Sequence, residues 1–146
     1  MNRAAFRDPL IVSVAGLIAP SVWLGAWGLL VAYVWMPLIQ VARPALQITD
    51  RTVVMNAHAI FDVIVAAMLA LVITIPIARL VRGNHLKLWF LFIACFVAGS
   101  VLPIDRDSDP AMFFYFFSRP MVWAFVMLSA FGFAIGRRLL GQPSVA

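Results

Sequence analysis

The stretch RTVVMNAHAIFDVIVAAM, residues 51–68, has the composition of the first half of a membrane-spanning helix. His58 and Asp62 interrupt its apolar residues. The two are four residues apart, so a helix presents both on one face. Ionisable side chains inside an apolar span are costly to bury and usually have a structural or functional role. The pair is therefore the first candidate site of the protein.

Outward from this stretch, the chain divides into four apolar runs separated by short charged segments. Hydrophobic residues make up 64% of the 146 residues and charged residues 12%, whereas a soluble domain has roughly 45–50% apolar and about 25% charged residues. A helix needs about 20 apolar residues to cross a bilayer. We therefore predict a single all-α domain, a four-transmembrane-helix bundle with short loops. The predicted spans are residues 10–39, 53–78, 87–102 and 111–136.

The basic residues predict the orientation of these spans. Of the 11 Lys and Arg residues, seven lie in the N-terminal segment, the second loop and the C-terminal segment, and three lie in or beside the first and third loops. Cytoplasmic segments of membrane proteins carry the excess of Lys and Arg. We therefore predict a multi-pass protein of a bacterial-type inner (plasma) membrane with both termini cytoplasmic. Because the basic residues flank apolar runs, the pattern argues against nucleic acid as a partner.

Two kinds of feature mark the helices themselves. Asp8 followed by Pro9 predicts that the first helix begins there with Asp8 as its N-cap, and Pro20 predicts a kink. Small residues at spacings of four, three and four form a seam on one face, as expected where another membrane helix approaches closely. This seam consists of Ser21, Gly25, Gly28 and Ala32. In the last span, Gly132 and Gly136 form a second candidate helix-packing surface.

The role of Arg119 depends on where the fourth helix begins. A start at Ala111 places Arg119 roughly 12 Å along the helix, and the same count places Asp62 roughly 13 Å along the second span. At equal depth, opposite charges are expected to pair, which predicts a buried polar cluster of His58, Asp62 and Arg119. A start at Pro120, a residue type favoured at the first helical position, places Arg119 at the membrane boundary. The sequence leaves both starts open.

The third loop contains Asp105, Asp107 and Asp109 in alternation. This spacing resembles the beginning of a calcium-binding loop, but Pro110 stands where the required glycine would be, and Phe116 stands in place of the bidentate glutamate. We expect a solvated acidic loop on the far side of the membrane, with a partner-facing or ion-facing role as the alternative.

The sequence offers little for catalysis. Cys95 is the only cysteine, so an internal disulfide and Cys-pair metal sites are excluded. Glutamate is absent, and neither a nucleophile–base constellation nor a Gly-rich phosphate loop is evident. We predict no metal and no cofactor, and an enzyme is the less favoured class.

The main functional hypothesis is a protein that acts in the bilayer by docking against another membrane protein or in a homo-oligomer. Short loops, small-residue seams and abundant aromatic residues favour an accessory subunit, an assembly factor or an inhibitor, including an immunity-type protein, by analogy of architecture. The alternative is a small proton- or cation-coupled transporter that uses His58 and Asp62. A weaker alternative is a membrane enzyme that acts on lipid.

Overall fold

The structure is a computed structural model that describes residues 3–101 and 117–138. Over these residues the chain is helical and contains no strand, which confirms the all-α class for this part of the chain. A first long helical stretch comprises α1 (Arg3–Leu30), a π-turn (Val31–Trp35) and α2 (Met36–Ala45). Three further helices follow, α3 (Arg51–Leu80), α4 (His85–Val101) and α5 (Pro120–Arg138).

The first helix begins earlier than predicted. It starts at Arg3, so Asp8 and Pro9 lie inside α1 and the predicted N-cap at Asp8 is wrong. The carboxylate of Asp8 binds backbone N–H groups of the turn between α3 and α4 instead. Pro20 also lies within α1, and the departure from α geometry occurs further on, at the π-turn.

The π-turn changes which side chains of this long helix share a face. The N–H of Met36 donates to the carbonyl of Val31, five residues back. Pro37 follows, and it has no N–H to continue the regular pattern. Because a π-turn accommodates one extra residue, the separation of eight residues between Trp27 and Trp35 is equivalent to seven, which is about two turns of α-helix. In a regular α-helix, Trp35 would be rotated by about 80° from Trp27.

The helices pack in two parallel pairs. Gly132 and Gly136 of α5 lie against Thr74 and Ala78 of α3, so α3 and α5 run in the same direction. A Cβ on Gly136 would lie 2.7 Å from the Cβ of Ala78, which shows how closely the backbones approach. The predicted pair of glycines therefore lies in an interface between two helices of the chain. The two glycines lie against a row of small residues on α3, which consists of Ala70, Thr74 and Ala78.

Glycine also brings α1 close to α4. A Cβ on Gly16 would lie 2.7 Å from both the Cβ of Cys95 and the carbonyl oxygen of Phe92, and Gly99 packs on the backbone of Leu17. Cys95 is a free thiol in this contact. Both glycine-rich interfaces are between parallel helices, and small residues there allow close backbone contact.

Aromatic side chains fill the space between the two pairs. The fully buried set comprises Trp23, Phe92, Phe96, Phe125 and Phe133. Phe96 stacks on Phe125 with ring centroids 4.7 Å apart, and Trp23 lies 5.3 Å from Phe125. Such aromatic pairs are each worth roughly 0.5–1.5 kcal/mol beyond their buried area. They join α1, α4 and α5 at one level of the molecule.

Two helical stretches, Phe6–Ala45 and Arg51–Leu80, are long and apolar enough to cross a membrane. The apolar helices His85–Val101 and Pro120–Gly136 are shorter. Only 28% and 33% of the most apolar windows of the two long stretches are buried. A core helix of a soluble protein would be mostly buried, so outward-facing apolar side chains favour a membrane location.

Candidate functional site

His58 and Asp62 meet on the face of α3 that turns toward α1. The imidazole Nε2 lies 3.7 Å from the carboxylate Oδ2, a distance of an ion pair when the histidine is protonated. Asp62 is buried, with 6% of its surface exposed, whereas His58 is half-buried. The helical spacing thus brings the two candidates together as one site.

Trp27 of α1 is a second partner of the Asp62 carboxylate. Its indole Nε1–H donates to the Oδ1 atom of Asp62 over 2.9 Å. A tryptophan N–H is a donor only, so it satisfies an acceptor without adding charge. Sequence reasoning did not identify this residue, because the antiparallel register that places residue 27 beside residue 62 depends on how α1 packs on α3.

Trp35 covers the other side of His58. Its ring lies 5.5 Å from the imidazole and is stacked on Phe61 at 4.8 Å. Trp35 is the only buried residue of the π-turn. The π-turn therefore brings this indole to the same face as Trp27, where both pack against the His58–Asp62 pair.

One nitrogen of the cluster has no partner among the described residues. His58 Nδ1 is buried and has no hydrogen-bond partner within the described residues. The imidazole lies between the carboxylate of Asp62 and the ring of Trp35.

Arg119 lies just outside the fourth helix. α5 begins at Pro120, the second of the two starts that the sequence left open, and the carbonyl of Arg119 accepts the N–H of Val122 over 3.1 Å. Gly132 of α5 lies beside Thr74 of the parallel helix α3. Counting back along both helices from this contact places Arg119 near the level of residue 61 of α3. The described partners of the Asp62 carboxylate are Trp27 and His58, and the pairing of Asp62 with Arg119 stays a prediction.

The seam of α1 is open. Among the described residues, none lies within 4 Å of the position where a Cβ of Gly25 or Gly28 would stand, and Ser21 and Ala32 are exposed. The seam therefore has no close helix contact within the described residues, and its role in helix packing stays a prediction. The reason is the direction of the face, since α1 turns Trp23 and Trp27 inward and the seam outward.

Asp8 is a second buried carboxylate, which sequence reasoning assigned only to capping. Its Oδ2 atom accepts backbone N–H groups of Arg82 over 2.7 Å and Gly83 over 2.9 Å. Arg7 donates to the carbonyl of Leu80 over 3.1 Å. These bonds tie the beginning of α1 to the turn between α3 and α4.

The remaining candidates have no described site geometry. Asp105, Asp107 and Asp109 lie outside the described residues. Within residues 3–101 and 117–138, no group of three or more His, Cys, Asp or Glu side chains could hold a metal ion. No protein-family model, curated protein or solved structure matches the chain.

Proposed function

We propose that this protein is a four-span inner-membrane protein, with both termini in the cytoplasm, that acts by docking against another membrane protein. The helix lengths support four spans. In α3, Asp62 contacts Trp27 of α1, and Leu80 contacts Arg7 of α1. Leu80 follows Asp62 by 18 residues, so this part of α3 is roughly 27 Å long. α5, with 19 residues, is about as long. Both lengths are close to the roughly 30 Å hydrocarbon core.

The charges support the orientation. Basic residues cluster at the level where Arg7 meets Leu80, and they include Arg79, Arg82, Lys87 and Arg138. Such clusters are typical of the cytoplasmic side. Counted from this level, the His58–Asp62 cluster lies near the opposite boundary of the membrane rather than at its centre.

The observation that carries the docking function is the contrast between packed and open glycines. Gly16, Gly99, Gly132 and Gly136 each bring two helices of this chain into close contact. Gly25 and Gly28 share the small-residue spacing of such interfaces, and no described residue lies within 4 Å of their Cβ positions. Small residues at helix surfaces allow close approach between membrane helices, so the seam fits a helix of another membrane protein. An accessory subunit, an assembly factor or an immunity-type inhibitor would each present such a surface.

Leucine substitutions at the two kinds of glycine test this proposal. Gly25→Leu and Gly28→Leu should keep the melting temperature in detergent and abolish stoichiometric co-purification of the partner. Gly132→Leu is the control: overpacking against Thr74 should lower stability by roughly 1–3 kcal/mol or more. Retention of the partner by both seam variants would refute docking through the seam. If the co-purified protein is a second copy of this chain, the proposal of a different partner protein is refuted.

A second function is favoured by one observation, the buried His58 Nδ1 beside a buried carboxylate. We propose proton or cation transport through this cluster as the alternative. The purified protein in vesicles should then dissipate an imposed pH or cation gradient, and Asp62→Asn should stop the flux. An absence of flux above that of empty vesicles would eliminate this alternative.

A further inference from the structure

The end of the bundle at which Arg7 meets Leu80 concentrates positive charge. Arg7 of α1 donates to the carbonyl oxygen of Leu80, the last residue of α3, over 3.1 Å. Gly136 of α5 lies against Ala78 of the parallel helix α3, so Arg138, two residues later, lies near the level of Leu80. α4 begins at this same end, directly after the turn from α3. This basic end of the molecule carries five described cations, Arg7, Arg79, Arg82, Lys87 and Arg138.

The one described carboxylate of the basic end has its partners inside the chain. The Oδ2 atom of Asp8 accepts the backbone N–H groups of Arg82 and Gly83, and the Oδ1 atom lies 3.7 Å from Nε of Arg7. Among the described residues, no carboxylate forms an ion pair with the side chains of the other four cations, and all four are exposed. Their charge is therefore available to an anion from outside the chain.

Backbone N–H groups do not provide the anion site at this end. The two N–H groups of the turn bind Asp8, and those of Leu86 and Lys87 donate to the Oδ1 atom of Asn84 over 3.0 and 3.3 Å. An incoming anion therefore binds to cationic side chains. Guanidinium groups match phosphate oxygens especially well, because they donate two parallel N–H groups.

Large apolar side chains are exposed beside these cations. On three helices, a cation of the basic end has an exposed apolar neighbour in the sequence, and these neighbours are 74%, 59% and 54% exposed. A ligand that matches this surface combines a negative charge with an apolar body. Free phosphate has no apolar body, and it would leave these side chains uncovered. The three pairs are Phe6 with Arg7, Leu80 with Arg79, and Leu86 with Lys87.

We propose that Arg79, Arg82, Lys87 and Arg138 bind the phosphate of an anionic phospholipid, whose acyl chains lie along the exposed apolar side chains of the same helices. The inference rests on the proposed membrane function and adds a ligand to it. Basic clusters at the ends of membrane helices are typical binding sites for anionic headgroups. A zwitterionic headgroup fits less well, because it brings a cation of its own toward four uncompensated positive charges.

Lipid titration of the purified chain in a neutral detergent tests this site. Phosphatidylglycerol should raise the melting temperature by several degrees in a saturable manner, because a ligand that binds the folded state stabilises it. Phosphatidylcholine, which is zwitterionic, should have little effect. Inorganic phosphate at the same concentration should also have little effect, because it gains nothing from the apolar surface.

Paired substitutions locate the site. Arg82→Gln with Lys87→Gln removes two charges from the basic end and keeps the backbone N–H of residue 82 for Asp8. At about fivefold per charge, the apparent affinity for phosphatidylglycerol should fall more than about tenfold. Arg43→Gln with Arg51→Gln is the matched control, since it removes two exposed charges beside the connection between α2 and α3. This control should keep the affinity of the unmodified chain.

Three results would overturn the proposal. They are equal stabilisation by phosphatidylcholine, equal stabilisation by inorganic phosphate, and equal loss of affinity in the two double variants, which would mean that only net charge matters. If the first pair lowers the melting temperature without lipid, Arg79→Gln with Arg138→Gln removes the same charge from the same end. Unchanged affinity in that second pair would also overturn the site.

Failure of the docking function has a different signature. The titration uses the purified chain without a partner, so Gly25→Leu should keep the response to phosphatidylglycerol whether or not it keeps the partner. Loss of the lipid response with retention of the partner contradicts only the lipid site.

Discussion

The two ends of the first long helix are built in opposite ways. At its beginning, a buried carboxylate binds two backbone N–H groups of another segment, and Asp8 is only 5% exposed. At the far end, α2 has no buried residue. Between them, the π-turn turns Trp35 inward against His58 and Phe61. One end of the long helix is thus fixed to another segment of the chain, and the other end is exposed.

The largest expected effect comes from deleting one residue at two places on this helix. Deletion of Val22, in regular α geometry, would rotate Val12 and Gly16 by about 100° relative to Trp23 and should abolish folding. Deletion of Ala32 would convert the π-turn into a regular turn and keep Trp27 and Trp35 on one face. Monodispersity in detergent and thermal melting measure both. If the two deletions lower monodispersity and melting temperature equally, the π-turn does not determine the direction in which Trp35 points.

Asp8→Ala should have the next largest effect. It removes the acceptor of the N–H groups of Arg82 and Gly83, and hydrogen bonds to charged groups contribute roughly 1.5–3 kcal/mol each. We expect a loss of about 2–4 kcal/mol in reversible unfolding in detergent. Asp8→Asn, which keeps one oxygen acceptor, should lose less. A stability change below that of a surface alanine substitution would contradict the anchoring role of this end.

Trp27→Phe tests the His58–Asp62 cluster and should have a smaller effect. It removes one N–H donor from the buried Asp62 carboxylate and should destabilise by roughly 1.5–3 kcal/mol. Combining it with Asp62→Asn should cost less than the sum of the two single changes, because the two residues share one hydrogen bond. Additive losses would separate Trp27 from Asp62 energetically.

Trp89→Phe is the smallest expected change and a control for the loss of an indole. Its N–H donates to the neutral hydroxyl of Ser129 over 2.8 Å. A neutral hydrogen bond contributes only about 0.5–1.5 kcal/mol, so this variant should melt above Trp27→Phe. The reverse order would mean that loss of indole packing, rather than loss of the charged acceptor, dominates at Trp27.

The sequence by itself determined the helical class, since long apolar runs between charged segments permit little else. It also determined that His58 and Asp62 meet, because four residues are about one turn and the contact lies within one helix. The pairing of Gly132 with Gly136 on one face followed from the same local rule. None of these conclusions depends on which helices are neighbours in the fold.

Only the tertiary structure decided the partners and the directions. Trp27 meets Asp62 across 35 residues, and Asp8 meets Arg82 across 74. Both contacts depend on the register between helices, which local spacing does not encode. The seam and the packed glycines have the same spacing, yet one faces outward and the others inward. The physical reason is local to the second half of α1, where Trp23 and Trp27 fill the interior and the small residues Gly25 and Gly28 are left on the opposite face.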